Sequence, residues 1–364
     1  MTEDETTLAI LLAVLFIVTF LYRRYEAKIL RDKSNFSYAA IQQYLLTDES
    51  LTEMGQYDTK PILWIHLSYE YNSRNWISFG SRSSCKMNQG YLFLTMKSLI
   101  IHNDNSFRIC IIDDKCFSKL VPGWNIQLQK LSYPLLSSYR ILGMLKIIQR
   151  YGGMFVPAHF LCLQNLRGLY DMGVYSDKFF VCETWNRHLD LQQFEQQNQF
   201  CCGLDIFGAE KQNEMVEKLQ DYVIRCVTQD YTSELQFIGN YSKWCNLHAK
   251  TNEDRVRRID GKFIGIKNMD NELVTIESLM GDEDIDFYRS NSMFGIMIPA
   301  HEILQRPKYE FFARMSPRQI LESRNMILCK YILLGTVTTT DVEDVSGGDV
   351  TMFSYWQLPR QYLY

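Results

Sequence analysis

At 364 residues, a formal net charge of −4 and no Lys/Arg block, the chain carries no electrostatic footprint for DNA or RNA. Hydrophobic residues make up 46% and charged residues 22%, an ordinary globular balance with enough to bury for one large domain or two small ones. Ten cysteines fall without CxxC or paired His spacing, and vicinal Cys201-Cys202 is too tight for a disulfide framework, so free thiols in a reducing compartment are expected and a zinc site is not.

In chain order, a short acidic tail (1–5) precedes an uncharged run, TTLAILLAVLFIVTFLY, over residues 6–22. At 1.5 Å per residue it spans about 26 Å, the short end of a bilayer crossing. Glu3, Asp4 and Glu5 precede it where a signal peptide wants positive charge, and Arg23-Arg24 follow it, so an uncleaved transmembrane anchor is expected. Arg23, Arg24, Lys28, Arg31 and Lys33 all lie on its far side. The positive-inside bias then makes this a single-pass membrane protein with its main domain cytosolic.

Residues 23–59 read as a juxtamembrane helical spacer, amphipathic over 38–46 and turn-rich over 48–58. A globular domain over 60–335 opens at Lys60-Pro61, where ILWIHL predicts a buried strand. A helix is predicted over 88–102 and a second buried strand over 107–112, ending in Asp113-Asp114. Ile141, Leu142, Leu145, Ile147 and Ile148 give a helical apolar face that Gly152-Gly153 breaks, and Met154, Phe155 and Val156 continue as a strand. Further strands are predicted at 178–182, 204–208, 262–267 and 293–298, with helices at 213–226 and 317–323. Residues 336–364 read as a C-terminal tail, polar and β-branched at first, with a turn at Gly347-Gly348 and an aromatic end. Alternating strands and helices predict an α/β fold with a mainly parallel sheet and no second domain.

Helix, Tyr151-Gly152-Gly153 and hydrophobic strand together resemble the core signature of capsular-polysaccharide-synthesis and DxD-sugar-binding glycosyltransferases. The resemblance runs over roughly residues 61–226, through WIH, ICIIDD, the Gly-Gly strand and GLDIFGAEKQN in the order those families show. NSRNWISFGSRSS, MNQGYLFLTMKS and RILGMLK are closer still to divergent copies carried by large cytoplasmic DNA viruses. It implies a GT-A-like nucleotide-diphosphosugar transferase fold, a nucleotide-sugar donor and a glycan or protein acceptor. In the viral form the membrane is that of host or virion, and viral structural proteins are partners.

The family's Asp-x-Asp, which holds a divalent metal under the diphosphate, aligns with Pro157, Ala158 and His159, and its helix Asp and Arg align with Arg140 and Met144. A metal-dependent mechanism is therefore not supported, because proline offers no ligand and one histidine is a lone one. Arg140 could pair with phosphate or stand as a solvated helix residue. His159, if protonated, could assist the leaving group, or be a strand-end histidine satisfied by backbone. Asp113 and Asp114 could orient a ribose or cap a turn. Glu183 could be a general base or a surface carboxylate, and His66 a nucleotide-edge residue or a core histidine. Two functions remain: sugar transfer at a metal-independent site, or a catalytically inactive transferase scaffold reused as a membrane-tethered structural or virion-associated component.

Overall fold

A computed structural model describes residues 41, 43–46, 60–67, 89–131, 135–185, 201–229, 234–250, 255–287 and 293–336. Two units divide the chain, Met1–Leu45 and Leu46–Tyr364. In the first, the described backbone is a single turn in which Tyr44 N–H donates to Ile41 O at 3.1 Å. The predicted anchor and tail, apart from Thr336, lie outside the described residues, and no described helix is long and apolar enough to cross a membrane.

The second unit is built on a six-stranded sheet. Its strands are β1 (Ile62–Leu67), β2 (Arg108–Asp113), β3 (Gly153–Pro157), β5 (Phe179–Glu183), β6 (Cys202–Ala209) and β7 (Val256–Ile259), in the spatial order β2-β1-β3-β6-β5-β7. β1 pairs in parallel with β2 and β3, β7 in parallel with β5, and β6 runs antiparallel to both neighbours. Five strands thus share one direction, and the mainly parallel α/β fold is as predicted. A separate antiparallel pair joins β4 (Phe160–Cys162) to β8 (Gly295–Met297).

Two apolar clusters hold the layers. In one, Trp64, Phe155, Phe179 and Phe207 of the sheet pack with Leu145 and Ile148 of α3 (Leu135–Tyr151), Leu219 and Val223 of α5 (Glu214–Gln229), and Tyr241 and Trp244 of α6 (Glu234–Lys250). Their near-continuous apolar strands, all six positions of ILWIHL but one being buried, are what burial on both faces demands. The other cluster joins Tyr91 and Leu94 of α1 (Gly90–Asn103) to Leu161, Ile296 and the C-terminal helices, among them Phe312, Ile320, Leu328 and Ile332.

The Gly-Gly break sets the geometry where helix meets sheet. Gly152 (φ 71°) takes the left-handed conformation that ends α3, its N–H donating to Ile148 O at 2.8 Å while its carbonyl accepts from Trp64 Nε1 at 2.9 Å. Gly153 (φ 100°) lies so close to β1 that a Cβ there would collide with the Ile62 carbonyl.

One predicted strand is corrected. Residues 262–267 are not extended: Asp260 Oδ1 accepts from Lys262 N–H at 2.9 Å and starts a 3₁₀ turn over Gly261–Ile264, which Gly265 (φ 67°) ends. A local side-chain cap outcompetes the β-propensity of Phe263 and Ile264. Helix α6 was missed because its mixed sequence, with Gly239 and Asn240 near the start, lacks a clean apolar stripe. The nine described cysteines are all free thiols, in line with the spacing argument.

Buried Asn103 ties α1 to the segment before α4 (Arg167–Val174). Its Oδ1 accepts from Leu166 N–H at 2.8 Å and its Nδ2 donates to Leu99 O at 2.8 Å. Asn103→Ala leaves a buried N–H unpaired and is expected to cost about 2 kcal/mol, read as a lowered midpoint of chemical denaturation.

Candidate functional site

Open α/β sheets present ligands at the carboxyl ends of their parallel strands, because helix starts and loops converge there. Those ends here bring His66 and Leu67 of β1, Asp113 and Asp114 at the end of β2, Pro157 to His159 at the end of β3, and Glu183 and Thr184 at the end of β5 to one edge.

Three predicted residues meet. Arg140 on α3 donates from Nε to Asp114 Oδ1 at 3.0 Å and from Nη2 to Oδ2 at 2.8 Å, the fork geometry of a bidentate pair. His66 Nε2 lies 2.9 Å from the same Oδ1. The cluster is largely removed from solvent, with His66 at 9% and Arg140 at 8% exposure. Burial alone pushes the Asp114 carboxyl up, yet the hydrogen bonds and charges of His66 and Arg140 outweigh it and hold the group below its usual range. Phe117 stacks on the His66 ring, centroids 5.3 Å apart, and Trp124 packs on Phe117. Arg140 is therefore no solvated helix residue, and its charge is already answered by Asp114.

Asp113 does not join them. Its Oδ1 accepts from the backbone N–H of Lys115 at 3.0 Å and of Cys116 at 3.1 Å, capping the turn into α2 (Cys116–Leu120), so the turn-capping reading holds. Glu183 is neither a surface carboxylate nor a partner of the others. It is 3% exposed, accepts from Gly261 N–H at 2.9 Å and pairs with Lys267. Burial pushes its pKa up, while Lys267 and Gly261 oppose the shift. A carboxylate so engaged pins the Gly261 turn to the sheet rather than standing ready to take a proton.

His159 is partly buried, with its carbonyl accepting from Ile298 N–H at 3.3 Å. Desolvation lowers its pKa, the nearby Asp205 of β6 opposes that, and His301 on α8 (Ala300–Gln305) adds to it. Asp205 is itself fixed by the Thr184 hydroxyl, which donates to Oδ2 at 2.7 Å. The sequence reading missed Asp205, Thr184 and His301. Asp205 sat unweighed inside the strand GLDIFGA, where alternation was its one signal.

A divalent metal does not fit the strand end of β3, where Pro157 and Ala158 offer no ligand atoms. Among the described residues, no group of three or more His, Cys, Asp or Glu side chains could hold a metal ion.

No known family profile matches the chain, and no curated protein does. Several solved glycosyltransferases are similar at low identity. GlyE of Streptococcus pneumoniae TIGR4 is 11% identical at a TM-score of 0.37, over 78% of this chain and 62% of that one. The WbbM bifunctional glycosyltransferase is 12% identical at 0.38, over 79% of this chain and 51% of that one. The galactosyltransferase LgtC, solved with donor and acceptor sugar analogues, is 10% identical at 0.34, over 79% of this chain and 99% of that one. This chain spans less than two thirds of GlyE and WbbM. Likeness at these scores carries no argument about chemistry, so the fold reading rests on the strand order and directions above.

Proposed function

We propose that this protein is a membrane-anchored glycosyltransferase-like protein of GT-A type, taking a nucleotide-sugar at the carboxyl edge of its parallel strands and transferring the sugar to a glycan or protein acceptor without a bound metal. The observation that carries the reading is the convergence of His66 and Asp114, at the ends of β1 and β2, with Arg140 on α3, and of His159 just past the end of β3. The order of sequence motifs supports it. Anchoring through residues 6–22, with the main domain cytosolic, belongs to the same proposal and rests on charge asymmetry around that run.

His66 and Asp114 would bind the nucleoside end, where a carboxylate can accept from ribose hydroxyls. Arg140 holds Asp114 ionised and oriented for that task. Phe117 behind His66 fixes the imidazole plane. A second reading, a catalytically inactive scaffold with viral structural partners, is favoured by one observation: Arg140 gives its Nε/Nη2 fork to Asp114, so its charge is already answered before any phosphate arrives.

Calorimetric titration of the full-length chain in detergent micelles with UDP- and GDP-sugars, with and without Mn²⁺, decides between them. Saturable binding of one donor, unchanged by Mn²⁺ and weakened about tenfold or more by Asp114→Asn, is the expected result. A folded protein that gives no heat with any donor favours the scaffold.

A further inference from the structure

The edge of the sheet carries a second polar group, around His159, to which the reading above gives no ligand. In the small sheet Phe160 pairs with Met297, and the bond from Ile298 N–H to the His159 carbonyl extends that ladder by one place. His159 therefore sits across from Ile298, three residues before His301 in the first turn of α8. From the other side, β3 and β6 pair Gly153 with Ala209 and Phe155 with Phe207. That ladder ends there, and Asp205 follows where β6 slips against β5, between the Val181–Phe207 and Glu183–Cys202 pairs. The small-sheet ladder thus brings the segments carrying the two imidazoles together just past β3, while Asp205, fixed by Thr184, lies near enough for its charge to act on His159.

We propose that His159 and His301 are the cationic pair that receives the diphosphate of the nucleotide-sugar, taking up protons as it binds and so supplying the charge that a divalent metal would otherwise bring. This rests on the nucleotide-sugar reading and adds the identity of the diphosphate's partners.

The electrostatics favour such a switch. Before the anion arrives, desolvation and the neighbouring His301 both disfavour a charge on His159, and Asp205 alone opposes them. His301 is exposed and faces Glu302, whose Oε1 lies 3.9 Å from Nε2 and whose Oε2 lies 3.5 Å from Arg306 Nη2. A diphosphate with about two negative charges adds to the pull of Asp205 and tips both rings toward the imidazolium form. Binding then draws protons from solution, and affinity rises as pH falls, by up to about tenfold per pH unit for each proton taken up.

The test is calorimetry of a nucleotide-sugar binding to the full-length chain in buffers of different ionisation enthalpy. The esterified diphosphate of a nucleotide-sugar does not titrate near neutrality, so net proton uptake reports on the protein. The expected result is uptake of about one proton or more at pH 7, with affinity rising by about tenfold for each pH unit from pH 8 to pH 6. His301→Gln, an exposed position that should fold normally, is expected to weaken binding most at pH 6, cut the uptake and flatten the pH dependence. Donor binding with no proton uptake overturns the inference and leaves the nucleotide-sugar reading standing. No donor binding anywhere between pH 6 and pH 8 overturns both.

Discussion

Arg140→Met is expected to destabilise the folded chain by about 3 kcal/mol, seen as a lowered midpoint in chemical denaturation. Methionine replaces much of the arginine stem, so the loss comes from charge rather than volume. Asp114 keeps its partial burial and the His66 contact but loses both guanidinium hydrogen bonds. Removing both charged partners in Arg140→Met/Asp114→Leu should recover at least half of that loss, because an apolar pair leaves no carboxylate stranded. A double variant no more stable than the single one would show that the arginine acts through packing alone.

The same cluster sets an acid limb. Because Asp114 is held below its ordinary value of 3.8, its contribution to stability is fully present above that pH and is lost as pH falls through the lower folded value. In Arg140→Met burial persists while the guanidinium is gone, so the folded carboxyl's pKa rises and less stability is lost on acidification. Stability measured from pH 6 down to pH 3 for both proteins reads this shallower acid limb. An acid limb of unchanged depth in the variant would mean Asp114 owes its low pKa to His66.

Gly153→Ala is expected to cost about 4 kcal/mol or more, combining a backbone angle that L-residues rarely adopt with a clash in close-packed structure. Gly153 begins β3 at φ 100°, and its missing Cβ makes room for the Ile62 carbonyl of β1. Gly208 on β6 also lies too close to the Gly153 carbonyl for a Cβ. The substitution should therefore leave little soluble protein, and what folds should unfold at markedly lower denaturant. Gly123→Ala, at φ 74° with open space around it, is the control: it shares the backbone strain without the clash and should cost about 1 kcal/mol. Equal losses at the two positions would sink the packing explanation.

Much of the fold was legible because strands buried on both faces must be continuously apolar, and ILWIHL, RICIID and GMFVP have no other reading at that length. The Gly-Gly turn was equally plain. A left-handed helix end followed by a close strand crossing leaves few residues to choose from. Residues 262–267 failed for a local reason, since the Asp260 cap and Gly265 decide a short turn against apolar propensity. At the edge of the sheet, Asp113 and Asp114 are adjacent and chemically identical. The chain could nominate both, but only the position of α3 decided which one receives Arg140 and which caps a turn.

Glu183 shows the same limit, because its partner Lys267 lies 84 positions further along and arrives by way of β7 and the Gly261 turn. His301 comes near His159 through the antiparallel β4–β8 pairing, and Asp205 through a slipped stretch of β6 that Thr184 holds. The sequence by itself determined five of the six strands of the main sheet, its mainly parallel character, the Gly-Gly crossing and the residue types at the edge, because periodicity and backbone chemistry are local. Which of those side chains spend their charge on each other, and which stay near enough to act together, only the tertiary structure decided, because pairing across a sheet depends on strand order and register.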